Sequence, residues 1–225
     1  MSGTFAGDQD VFKYRAAAAQ LVRFELFSGG AEQCTADNVI SGIVGPPGAA
    51  PADTGDLGIG PCAMWTTVLP ANVDMFPVIN GANPSSYLLE VRRIAIAGDE
   101  SEPNDTFATA DPIPAGNDIA MEGTFGNTDH YTFTLDAPAS VRVEMTSQVG
   151  AAQSCEAGSL SGGMEVRNAS GSMVFDNDTT GGINGCALID GIGATPKDPG
   201  LANLAAGTYT IVSSGTAYSL VLTKR

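Results

Sequence analysis

Charge is scarce in this sequence, and positive charge is scarcer still. Only 16% of the 225 residues are Asp, Glu, Lys or Arg, and 10 bases stand against 25 acids, for a net charge of −15. Nucleic acids and anionic membrane surfaces are bound through clusters of Lys and Arg. No such cluster occurs here, so neither is an expected partner. The chain has one histidine, His130, and one tryptophan, Trp65. A serine or cysteine hydrolase needs a base beside its nucleophile; His130, between Asp129 and Tyr131 on a strand read as a surface position, does not supply one. HExxH, a Walker loop and a dinucleotide fingerprint are all missing. The acids gather in linkers and turns rather than at two facing strand ends, as a glycosidase would need. The expectation is a protein that is not an enzyme. No run of about 18 apolar residues exists, so no helix is expected to span a membrane, and residues 16–19 (AAAA) are too short for a helix of their own. MSGTFAGDQD has neither a basic start nor an apolar core, so it reads as no secretion signal; Met1 is taken as a cut or processed start.

What is present is turn chemistry and repetition. With 28 Gly and 13 Pro, the composition suits many short strands joined by tight turns. A search for internal repeats finds one unit written twice. Gly3-Thr4-Phe5 is answered by Gly123-Thr124-Phe125, and Asp10-Val11-Phe12-Lys13-Tyr14 by Asp129-His130-Tyr131-Thr132-Phe133. Val22-Arg23-Phe24-Glu25-Leu26 is answered by Val141-Arg142-Val143-Glu144-Met145, and the segment from Tyr87 to Val91 by that from Tyr218 to Leu222. Residues 40–60 of the first copy have diverged beyond alignment. Within these segments apolar residues occupy every second position, with charged residues such as Lys13, Arg23, Glu25, Glu90 and Arg92 between them. That is the period of a strand with one apolar and one wet face. Two antiparallel sheets closing such faces on each other make a sandwich. The fold expectation is therefore all-β, two tandem antiparallel β-sandwich (jelly-roll-like) domains over residues 1–97 and 98–225. Residues 164–175 add a hairpin turning at Asn-Ala-Ser-Gly.

Four cysteines allow three pairings, and their matching places in the two copies favour Cys34 with Cys62 and Cys155 with Cys186. Disulfides imply an oxidising compartment, so the chain is expected to be secreted or at the cell surface. No CxxC spacing points to a metal at these thiols.

The acid excess is uneven. Residues 1–97 hold 9 acids and 5 bases, whereas residues 98–225 hold 16 acids and 5 bases. It peaks in residues 100–111, ESEPNDTFATAD, where Pro103 stiffens the chain. In an extended chain Glu100, Glu102 and Asn104 point to one side. A side that carries only oxygen ligands suits a hard cation such as calcium, and does not suit zinc or copper. The alternative is a solvated acidic linker. Asp176, Asn177 and Asp178 form a second oxygen-rich turn, read as Asx capping.

EPNDT, then GTFGNTDHYTFTL (residues 123–135), then GTYTIVSSGTAYSLVL (residues 207–222) resemble, in that order, the bacterial pre-peptidase C-terminal domain. The collagen-binding domains of clostridial collagenases are relatives of that family. The resemblance covers residues 100–225, and the first copy resembles the family more faintly. It implies a secreted, non-catalytic β-sandwich of a bacterial extracellular protein, with adhesion or attachment roles. It also implies one calcium site, in which the acidic segment folds against the Asp-containing turn. Carried over by position, the ligands are Glu100, Glu102, Asn104, Asp105 and Asp129, with Asn127 supplying a carbonyl. Copy 1 keeps Asp8 and Asp10 but has no counterpart of the acidic segment, so no complete site is expected there. The uncovered edge suggests strand addition and head-to-tail self-association. Trp65 is a weaker candidate, as a platform for an extracellular protein or polysaccharide.

Overall fold

The computed structural model describes residues 2–4, 9–28, 30, 33–34, 38–44, 62–81, 86–124, 128–146, 163–177, 186–214 and 218–225. Asp8, Asn127, Cys155 and Asp178 lie outside them, as do the side chains of Asp176 and Asn177. Among the described residues the regular structure is strands and one 3₁₀ turn, Pro199–Leu201, and no helix is long and apolar enough to cross a membrane. The chain divides into two compact units, Met1–Arg93 with Gly193–Thr195, and Ile94–Ile192 with Pro196–Arg225.

The first unit contains β1 (Ser2–Thr4), β2 (Gln9–Val11), β3 (Tyr14–Arg15), β4 (Gln20–Ser28), β5 (Asn38–Val44), β6 (Met64–Leu69), β7 (Asp74–Gly81) and β8 (Ser86–Arg93). One sheet runs in the order β1, β8, β4, β6; in the other, β2 and β3 pair with β7, which also pairs with β5. Val22, Phe24 and Leu26, the alternate apolar positions of β4, are fully buried; burying such a side chain contributes about 1.5–3 kcal/mol. Cys34 is disulfide-bonded to Cys62, with a Cα–Cα distance of 5.7 Å.

The second unit contains β9 (Ala95–Asp99), β10 (Asp111–Pro112), β11 (Asp118–Gly123), β12 (Thr128–Leu135), β13 (Val141–Thr146), β14 (Met164–Asn168), β15 (Met173–Asn177), β16 (Leu188–Asp190), β17 (Gly207–Ser214) and β18 (Tyr218–Lys224). One sheet has the order β10, β12, β17, β14, β15 and the other β16, β13, β18, β11, β9. Tyr131, Phe133, Val141, Val143, Val166, Ile211 and Leu220 form the core of this unit. The hairpin expected at residues 164–175 is β14 and β15, and Asn168 Oδ1 caps its turn by accepting from the N–H groups of Ser170 and Ser172. Cys186 is disulfide-bonded as well.

The duplication is visible in register. Gly3 stands opposite Tyr87 as Gly123 stands opposite Tyr218, and Phe24 opposite Val91 as Val143 opposite Leu222. Both glycines are required by space: a Cβ on Gly3 would lie 2.5 Å from Tyr87 Oη, and one on Gly123 2.3 Å from Tyr218 Cζ.

The fold is the expected all-β one of largely antiparallel sheets, with a parallel lead-in to the second unit where β9 pairs β11 and β10 pairs β12. β9 joins the second unit's sheet, and the division into compact units falls at Arg93/Ile94. The wet faces are not wet in the middle of the sheets: Arg23, Glu25, Arg142 and Glu144 are all at most 5% exposed. Cross-strand neighbours explain this, since a buried charge is tolerated when it is paired. Arg142 sits opposite Asp190 with Nη2 2.8 Å from its Oδ2, Arg23 Nε donates to Thr66 Oγ1 across the same kind of pair, and Ser219 Oγ donates to Glu122 Oε1. Trp65, opposite Phe24 on β6, is 5% exposed. It is a core residue and not an exposed platform.

Candidate metal centre

The lead-in chain laces the two sheets of the second unit together. After β9, Glu100 N–H donates to Glu122 O on β11 (2.9 Å); four residues on, Asn104 O accepts from His130 N–H on β12 (3.0 Å), and Ile113 N–H donates to Thr132 O (2.7 Å). Pro103, preceded by a cis peptide, lies between the first two anchors. Phe107 meets His130 edge-on at 5.0 Å and lies under the guanidinium of Arg167 at 5.8 Å. His130, expected at the surface, is therefore 7% exposed.

This lacing brings Glu100 and Glu102 to Asp129, with one carboxylate oxygen of each within 4.8 Å of the others. Asp129 and Asn104 are fully buried, and among the described residues Oδ1 of each has no hydrogen-bond partner. Asn104 Nδ2 lies 3.3 Å from Glu100 Oε2 and 3.4 Å from Asp111 Oδ2. Glu100 is held from both ends. Oε1 accepts from Thr124 N–H and Oγ1, both at 2.5 Å, and Oε2 accepts from Tyr131 OH at 2.8 Å. Asp129 Oδ2 accepts from Tyr218 OH at 2.5 Å, and that hydroxyl also contacts Ser213 Oγ (2.8 Å) and Tyr131 OH (3.0 Å). Two buried tyrosines thus tie the carboxylates to the core.

The electrostatics follow from this crowding. The Asp129 carboxyl is pushed up to about 6: burial raises it most, the Tyr218 hydrogen bond opposes this, and the charges of Glu100, Glu102 and Asp105 add to the rise. Burial likewise raises the hydroxyls of Tyr131 and Tyr218, which keeps both as neutral donors.

The residues present fit a hard cation. The donor set is oxygen only, and two buried oxygens have no hydrogen-bond partner among the described residues, a cost that a donor or a cation would relieve. Exchanging Oδ1 and Nδ2 of Asn104 by rotating its amide would turn a donor into an acceptor facing Glu100 and Asp111, a disposition favoured only with a cation between them. Of the residues singled out in sequence, Glu100, Glu102, Asn104 and Asp129 come together; Asp105 is exposed and acts through its charge on Asp129; Asn127 lies outside the described residues. Sequence reasoning missed Asp111, whose Oδ2 also accepts from Ser101 N–H at 2.6 Å. It closes the same acidic stretch and stands opposite Tyr131 in the parallel β10/β12 pair.

No family model and no curated protein matches the chain. Among solved structures, one described as the crystal structure of the STIV MCP is similar over 99% of this chain and 95% of that one, at 10% identity and a TM-score of 0.32. The resemblance to pre-peptidase C-terminal domains therefore rests on the quoted residues alone.

Proposed function

We propose that this chain is a non-catalytic tandem β-sandwich module of a secreted or cell-surface bacterial protein, serving attachment or spacing, with calcium fastening the lead-in segment to the second unit. The observation that carries the reading is the meeting of Glu100, Glu102 and Asp129, one carboxylate oxygen of each within 4.8 Å of the others, with Asp129 and the neighbouring Asn104 fully buried. The Cys34–Cys62 disulfide supports an oxidising compartment. The packing of the one imidazole against Phe107 supports a non-catalytic role, because among the described residues that ring is engaged by an aromatic neighbour and not by a nucleophile.

In this reading Asn104, Asp129, Glu102 and Glu100 hold the ion, and Thr124, Tyr131 and Tyr218 orient the carboxylates. The test is thermal melting of chelator-stripped protein with and without millimolar calcium. Calcium at about 100 times its Kd should add about 2.7 kcal/mol, and Asn104→Ala should abolish that increment whatever it does to the cation-free Tm. An unchanged Tm in calcium would overturn the proposal.

A further inference from the structure

Three stretches carry the Asn-X-Ser/Thr pattern of N-glycosylation acceptors: residues 104–106, 168–170 and 177–179. The fold separates the first two. Asn104 is fully buried, and its Nδ2 lies against Glu100 and Asp111. Asn168 sits at the tip of the β14/β15 hairpin, where Ala169, Ser170, Ser172 and Met173 are exposed. The tip closes through two backbone hydrogen bonds, Asn168 N–H to Ser172 O at 3.0 Å and Gly171 N–H to Asn168 O at 2.9 Å. Gly171 takes a φ of 78°, which glycine adopts without strain.

Within this tip the two ends of the Asn168 amide are used differently. Oδ1 accepts from Ser170 N–H (3.0 Å), Ser172 N–H (3.0 Å) and Ser170 Oγ (2.7 Å). Two backbone donors fix which end is the oxygen. Among the described residues no hydrogen bond uses Nδ2, so a substituent there would break none of the bonds that cap the turn. Donors on the oxygen also draw charge from the amide, which makes an Nδ2 proton easier to remove. The Ser170 hydroxyl is held against that same amide, so the two groups that define the pattern meet in the folded turn.

We propose that Asn168 is an N-glycosylation site. The step joins Nδ2 to C1 of an oligosaccharide carried on a polyprenyl diphosphate. The C1–O bond to the diphosphate breaks, the lipid diphosphate leaves with the bonding pair, and one Nδ2 proton passes to the transferring enzyme. The sugar would shield Met173, an apolar side chain 51% exposed beside the tip on β15, the last strand of its sheet among the described residues. The proposal rests on the secreted reading, since such modification marks surface turns of exported chains.

The test is transfer in vitro to the folded full chain, using a purified oligosaccharyltransferase that accepts Asn-X-Ser/Thr and a polyprenyl-diphosphate oligosaccharide. Intact mass and peptide fragmentation read the product. The mass should rise by one oligosaccharide, placed on Asn168. Asn168→Gln and Ser170→Ala should each lose that product, and Ser170→Thr should keep it, with folding checked by circular dichroism. Ser170→Ala retains the capping N–H, so its loss of product would report the hydroxyl and not a disturbed turn. No transfer to the wild type would overturn the proposal. So would sugar on Asn104 or Asn177 with none on Asn168, or equal transfer to Ser170→Ala. With purified components the outcome does not depend on export; retention of the chain inside its cell would count against the secreted reading alone.

Discussion

Replacing Asp129 by Asn should change stability with opposite sign in the absence and presence of calcium. Asp129 is fully buried beside three acids, and its carboxyl is pushed from 3.8 up to about 6. The folded protein therefore holds a proton that the unfolded chain releases between about pH 4 and pH 6. Wild-type stability contributed by this group falls as pH rises through that window and is flat above it. A shift of this size corresponds to about 3 kcal/mol, and screening of the exposed Glu102 and Asp105 reduces it to about 2 kcal/mol. The amide of the Asp129→Asn variant would keep an acceptor for Tyr218 OH without the charge. In chelator at pH 7.5 that variant should accordingly be more stable by about 2 kcal/mol, a Tm rise of roughly 5–10 °C for a unit of this size. At pH 4 the two proteins should melt together. In saturating calcium the order should reverse, because the ion offsets the charge only in the wild type. Urea and thermal melts at the two pH values, with and without calcium, measure all of this. A variant that melts below the wild type in chelator at pH 7.5 would refute the reasoning.

Gly123→Ala should cost about 2–3 kcal/mol, since its Cβ would lie 2.3 Å from Tyr218 Cζ and that ring is held through its hydroxyl by Asp129, Ser213 and Tyr131; denaturant titration reads the loss, and calcium binding should weaken with it. Asp190→Ala should cost about 3–5 kcal/mol by leaving Arg142 buried without its carboxylate, and the Arg142→Met, Asp190→Leu double variant should recover most of that in the same assay. Replacing Cys34 and Cys62 together by Ala should lower stability by about 3–4 kcal/mol, the loop-closure value for the 28-residue separation, seen as a lower Tm under oxidising conditions.

The duplicated strands were legible because alternation marks which residues share a face, and matching motifs carry matching register: Gly3 with Tyr87 and Gly123 with Tyr218 are pairs a reader of the sequence could align. Alternation does not reveal what covers the second face. Arg23 and Arg142 read as solvent-facing because their partners, Thr66 and Asp190, are more than 40 residues away along the chain. The same blindness to distant partners hid the burial of His130 beneath Phe107 and the parallel course of β9 and β10. At the site, local spacing brought Glu100, Glu102 and Asn104 to notice, and the family resemblance brought Asp129. Asp111 and the two tyrosine hydroxyls stayed hidden, since their roles arise only when the lead-in chain crosses from β11 to β12.

A calorimetric titration of calcium into chelator-stripped protein tests the central claim most directly. The account predicts one ion bound by the wild type and no heat of binding for Asp129→Asn. Absence of heat from the wild type at millimolar calcium, or equal binding by the variant, would contradict it and leave residues 100–105 as a lacing segment held by hydrogen bonds alone.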